Sequence, residues 1–172
     1  EKYNWNIHLS NSKKFILRSL QTKKKETALI LGSGWLLDVP IDELSKNFSK
    51  VVLFDVRHPK KILEQLKNFP NVVTQEIDLT GYSEILLKIS NKTDILNLQP
   101  DNKHLDLIKS YNADFIVSLN LLNQLDIFLI DFLRSRFCFS EEILKLFSKK
   151  IQTEHFNLLT VNKSCLITDY IQ

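Results

Sequence analysis

Five short apolar runs constrain this chain more than any other feature, occupying residues 27–31, 51–54, 72–77, 113–118 and 164–168. The first, Thr27-Ala28-Leu29-Ile30-Leu31, is apolar without alternation, as is Val51-Val52-Leu53-Phe54. Runs of this length with no polar face suit strands buried on both sides, as in the interior of a parallel sheet. The segments between them are too long for hairpins and carry helical signals. Pro40 opens an acid-led stretch over 41–48, Pro59 opens one that stops at Pro70, and residues 83–90 and 101–110 read as helices. Residues 121–137 are apolar on nearly every side, predicting a deeply packed helix, and Ser140 caps another that continues towards Leu158. Strand and helix alternating in this way predict βαβ crossovers, hence an α/β fold with a doubly wound, mostly parallel sheet and helices on both faces.

One domain is expected over residues 27–172, preceded by a basic helical segment over 1–26. In that segment Trp5, Ile7, Phe15, Ile16 and Leu20 suggest one amphipathic helix or two short ones, with Ser10-Asn11-Ser12 available as a cap. Residues 1–25 hold seven basic residues against Glu1 alone, while the remainder holds sixteen basic and nineteen acidic ones. A basic segment beside a mildly acidic body is able to meet nucleic acid or another polyanion, although a solvated helix face accounts for the same charge. No apolar run approaches the ~18 residues a membrane span needs, and nothing at the N-terminus resembles a signal peptide. The expectation is a cytoplasmic protein with no membrane partner. Cys138 and Cys165 lack metal-ligand spacing and are expected as half-buried reduced thiols. His8, His58, His104 and His155 are scattered and expected at the surface or in caps, with His58, three residues past Asp55, nearest the strand tips.

In a doubly wound sheet, ligands bind at the carboxyl ends of the strands, where strand order reverses. The residues delivered there are Gly32-Ser33-Gly34 after the first run, Asp55 after the second and Asp78 after the third. The fourth delivers Ser118-Leu119-Asn120 and the fifth Asp169. Glycines at the first tip let a ligand approach the backbone and open towards a helix N-terminus. Asp55 follows Gly32 by 23 positions, and an acid about 20 residues beyond such a turn is placed to accept the hydroxyls of a ribose. Leu37 stands where a third glycine would complete G-x-G-x-x-G, which counts against a pyridine-nucleotide oxidoreductase.

The segments Leu29-Ile30-Leu31-Gly32-Ser33-Gly34, Val52-Leu53-Phe54-Asp55 and Phe115-Ile116-Val117-Ser118-Leu119-Asn120 resemble class I S-adenosylmethionine-dependent methyltransferases. Gly-Ser-Gly followed by Asp38-Val39-Pro40, with the Ser-Leu-Asn-Leu-Leu stretch, is similar to a bacterial group of methyltransferase-like proteins. The resemblance implies S-adenosylmethionine as cofactor and a methyl acceptor that the sequence does not identify. It places Gly32, Ser33 and Gly34 at the methionine part of the cofactor and Asp55 at the ribose. Asp78 and Leu79 would lie by the adenine, and Ser118, Leu119 and Asn120 on the side nearest the sulfonium. Two features depart from the family. The acid often found shortly upstream of the first glycine is missing, with Leu31 just before it, and the antiparallel hairpin that ends the family's sheet does not follow the fifth strand. Both favour the alternative of a binding or interaction protein that keeps the fold without transfer activity. No catalytic residue follows from the fold, because methyl transfer rests mainly on proximity and orientation.

Overall fold

The computed structural model describes residues 2–20, 25–161 and 163–168, leaving aside the side chains of residues 2–4. Asp169, Lys23, Lys24 and the Lys2 side chain lie outside the described residues, and with them the expected tip of the fifth strand and part of the basic segment.

The strands are β1 (Thr27–Leu31), β2 (Lys50–Asp55), β3 (Val72–Glu76), β4 (Phe115–Leu119) and β5 (Ser164–Ile167). They form one sheet in the order β3-β2-β1-β4-β5, and all four pairings are parallel. Leu31 stands opposite both Phe54 and Ser118, so the chain leaves β1 between its two neighbours at the point where strand order reverses. The architecture is α/β with helices flanking an all-parallel sheet and is compatible with a Rossmann-like fold.

Alternation along each strand divides the core. Ala28, Ile30, Leu53, Val117 and Leu119 point to one face, against Ile16 of α1 (Lys2–Arg18), α2 (Ile41–Asn47) and α3 (Lys60–Leu66). Leu29, Leu31, Val52, Phe54 and Ile116 point to the other, against α5 (Lys103–Ser110) and the end of α7 (Glu141–Leu158). Leu29, Ile30 and Leu31 are wholly buried, each contributing roughly 1.5–3 kcal/mol by leaving water. A satellite cluster joins α4 (Ser83–Leu86), the 3-10 turn Ile95–Asn97, α6 (Ile127–Arg136) and α7. α7 starts where sequence predicts: the Ser140 hydroxyl accepts the Ile143 N–H at 3.3 Å, with Glu141 and Glu142 in the first turn. Its buried stripe is Leu144, Phe147, Ile151 and His155.

Several expectations change. α1 is one 17-residue helix with Ser10-Asn11-Ser12 inside it, so that cluster is not a cap; Ile16 anchors the helix on the sheet. Residues 83–90 yield only the four-residue α4. The apolar stretch 121–137 is helical only from Ile127, and it exposes Phe128 while burying Leu129, Ile130 and Leu133. Cys165 is buried as a small apolar side chain, but Cys138 is exposed. Three of the four histidines, His58, His104 and His155, are buried. One ring nitrogen of each finds a partner inside the fold, at Ser33, the Asp101 carbonyl and Ser118 respectively. Among the described residues no helix is long and apolar enough to cross a membrane.

Candidate functional site

The chain leaves β1 through Gly32, whose φ of +80° is open to glycine and strained for other residues. Gly32 and Ser33 both donate their N–H to the Phe54 carbonyl, at 2.9 and 3.2 Å, which ties the bend to β2. A Cβ on Gly32 would stand 2.5 Å from Leu121 Cγ and 2.8 Å from the Leu119 carbonyl oxygen, so no other residue fits without displacing β4. Gly34, with φ +45°, has room around it: a Cβ there would make only an ordinary contact, with Asp55 Oδ2 at 3.9 Å. No helix follows the bend directly: α2 begins at Ile41, where Pro40 predicts it, so the bend opens onto a loop and not onto a helix N-terminus. The intervening loop leaves Leu37 exposed and holds Leu36 at φ +55°, an unusual conformation for a bulky side chain.

Asp55, at the tip of β2, accepts the Gly34 N–H on Oδ2 at 2.7 Å and the Val56 N–H on Oδ1 at 2.8 Å. Bend and acid therefore meet, 21 residues apart in sequence. Beneath them Ser33 Oγ lies 3.0 Å from His58 Nε2, and both side chains are buried. The His58 backbone N–H donates to Glu76 Oε1 at 2.8 Å. Burial lowers the His58 pKa, against the pull of the Asp55 and Glu76 carboxylates, so the ring is a neutral partner that fixes the bend.

Asp78, just past β3, accepts Thr80 N–H and Oγ1–H on Oδ1 at 2.8 and 2.6 Å, and the Ser83 N–H on Oδ2 at 3.0 Å. Burial alone would raise its pKa, but these hydrogen bonds outweigh it and hold the carboxyl below its ordinary value. Leu79 beside it is buried. At the tip of β4, Asn120 adopts φ +53°, which asparagine tolerates better than most residues. Its N–H donates to the Ile167 carbonyl at 2.8 Å, and its Nδ2 donates to Asp38 Oδ2 at 2.8 Å. Asn120 Oδ1 is buried with no hydrogen-bond partner. Burial raises the Asp38 pKa, opposed by a hydrogen bond from its own backbone, His8, Lys13 and the Asn120 amide.

These groups line one cleft of about 430 Å3, a size suited to a small-molecule ligand. Gly32, Ser33, Gly34, Asp55, Asp78, Leu79, Leu119 and Asn120 all border it. Ser118 does not. Its side chain lies on the opposite face of β4 from Leu119, wholly buried, with Oγ 2.7 Å from His155 Nε2. Sequence reasoning missed the groups that come from afar: Trp5 and Leu9 of α1, Trp35 and Asp38 of the loop, and Phe128 of α6. The Gly-Ser-Gly-Trp sequence and an acid four residues past Gly34 were the available signals; nothing local marked Trp5. A larger hollow of about 650 Å3 between α5 and α7 shares Leu79 and Thr80 with the cleft, but neither the bend nor Asp55 borders it. Among the described residues no group of three or more His, Cys, Asp or Glu side chains is placed to hold a metal ion.

Fold and site together define a parallel α/β domain with a cleft over its strand tips. Comparison of the sequence with protein-family models gives no match, and comparison with curated proteins gives none.

Proposed function

We propose that this chain binds S-adenosylmethionine in the cleft over the strand tips and acts as a class I methyltransferase. The observation that carries the reading is the 2.7 Å contact between the Gly34 N–H and the Asp55 carboxylate, which puts the bend and the acid in one hollow. The donor set suits the ligand. Asp38, Asp55 and Asp78 border the cleft, and no Lys, Arg or His does among the described residues. Such a lining favours a molecule carrying a sulfonium and an ammonium group. When bound, S-adenosylmethionine supplies an electrophilic methyl group. Asp55 would accept the ribose hydroxyls, Gly34 would leave room beside that carboxylate, and Asp78 with Leu79 would border the adenine. Leu119 and Asn120 would stand on the methyl side, with Leu121, Leu125 and Leu129 excluding water from it. Holding two reactants in this way can supply up to roughly 7–11 kcal/mol of the barrier.

The second reading, a binding protein without transfer activity, draws on the same carboxylate: both Asp55 oxygens already accept backbone N–H groups, so the acid also clasps the bend. A nicotinamide dinucleotide fits less well, since the position of the third glycine is the exposed Leu37.

Both tryptophans of the chain border the cleft, so intrinsic fluorescence reports on it directly. S-adenosylhomocysteine is expected to change that fluorescence saturably, and NAD is not. A saturable response to NAD with none to S-adenosylhomocysteine would reverse the assignment.

A further inference from the structure

We infer that the acceptor half of this cleft takes a ligand that pairs an apolar, ring-sized body with a positively charged amine. The inference rests on the methyltransferase reading, and names the class of acceptor that such an enzyme would serve.

Three independent features of the lining converge. The first is charge: Asp38 is bonded to Asn120 just past β4 whereas Asp78 follows β3, with β1 and β2 between those strands, and none of Asp38, Asp55 and Asp78 forms an ion pair with a Lys or Arg among the described residues. His8 and Lys13 act on Asp38 from α1 but do not border the cleft. An anionic acceptor such as a phosphate or carboxylate would enter a site with three acids and no described cation to receive it. The second is aromatic surface: Trp5, Trp35 and Phe128 border the cleft and are 54%, 59% and 83% exposed. Large rings left this bare around a hollow offer their faces to a ligand, and a cation over such a face is attracted by the ring quadrupole. The third is an unmet hydrogen bond: Asn120 donates its Nδ2 to Asp38, which leaves Oδ1 buried and without a donor. An ammonium group, which has three N–H donors and no acceptor, meets both the Asn120 Oδ1 and the Asp38 carboxylate.

These features also argue against single-stranded nucleic acid. Stacking on tryptophan suits a base, but the accompanying phosphates need cations in the groove, and the described lining supplies acids.

The test uses the intact chain and three probes that share one ring and differ only in charge: phenethylamine, 2-phenylethanol and phenylacetate. Each is titrated against Trp5 and Trp35 fluorescence, with and without saturating S-adenosylhomocysteine. The amine is expected to bind saturably under both conditions, at least tenfold more tightly than the alcohol or the acid, and Asp38→Asn is expected to erase that preference. Equal or tighter binding of the alcohol or the acid overturns the inference. So does absence of saturable amine binding, or competition between the amine and S-adenosylhomocysteine. Because the charge preference is read on the unaltered protein, it stands whether or not the variant folds. If S-adenosylhomocysteine itself fails to bind, the methyltransferase reading falls while the charge comparison still returns its own answer.

Discussion

The buried pair of Ser118 and His155 makes stability depend on pH in a direction that can be worked out. His155 is 4% exposed, with Nε2 on Ser118 Oγ and Nδ1 without a partner. Burial, with a smaller contribution from the neighbouring His104, pushes its pKa from 6.5 down to about 4. The unfolded chain therefore takes up this proton first. The histidine's contribution is complete above pH 6.5 and is lost as pH falls towards 4. At 1.36 kcal/mol per pH unit the full loss is about 3 kcal/mol, of which about 2 kcal/mol has gone by pH 5. His58 and His104, whose pKa values burial also lowers, add losses of the same sign. Urea denaturation at pH 7.5 and pH 5 measures the sum. With a slope of about 2 kcal/mol/M, His155 alone lowers the midpoint by roughly 1 M. His155→Gln, which removes the titrating group, should flatten this dependence. An unchanged midpoint across the range, or a His155→Gln variant with the full wild-type pH dependence, would refute the reasoning.

Three further outcomes follow from the same geometry. Gly32→Ala should cost roughly 2–5 kcal/mol, combining left-handed strain with overpacking against Leu119 and Leu121. Gly34→Ala, whose Cβ would make only an ordinary contact with Asp55 Oδ2, should cost about 1–2 kcal/mol; urea midpoints compare the two. Ser118→Ala leaves His155 Nε2 buried and unpaired, so it should destabilise by about 1–3 kcal/mol yet leave S-adenosylhomocysteine affinity unchanged, as titration would show. Asp78→Ala removes three accepted hydrogen bonds and should lower stability at pH 7. The wild-type contribution of Asp78 is present above pH 3.8 and fades as pH falls through its lower folded value, so the two proteins should converge in acid.

How much of this could be read from sequence depended on whether the deciding forces were local. The β1, β2 and β4 strands were legible because strands covered on both faces must be apolar throughout, and Asp55 because its distance from the bend is set by one βαβ unit. Helix lengths were less so: 121–126 carries three leucines among six residues, but Leu121 and Leu125 border the cleft and α6 starts only at Ile127. Ser118 was misplaced because a run of residues at a strand tip hides the alternation that turns every second side chain away. The buried His58 and His155 depend on partners 25 and 37 positions away, and Trp5 reaches the cleft from a distant helix, which no local pattern encodes.

The central claim is that Asp55 and the glycine bend together hold an adenosyl ligand. Isothermal titration of S-adenosylhomocysteine into the wild-type chain and into Asp55→Ala, with urea midpoints showing that both are folded, tests it most directly. Wild type should bind one equivalent. Loss of hydrogen bonds to a charged acceptor, about 1.5–3 kcal/mol, should weaken the variant at least tenfold. No heat of binding in the wild type, or equal affinity in the two proteins, would contradict the account.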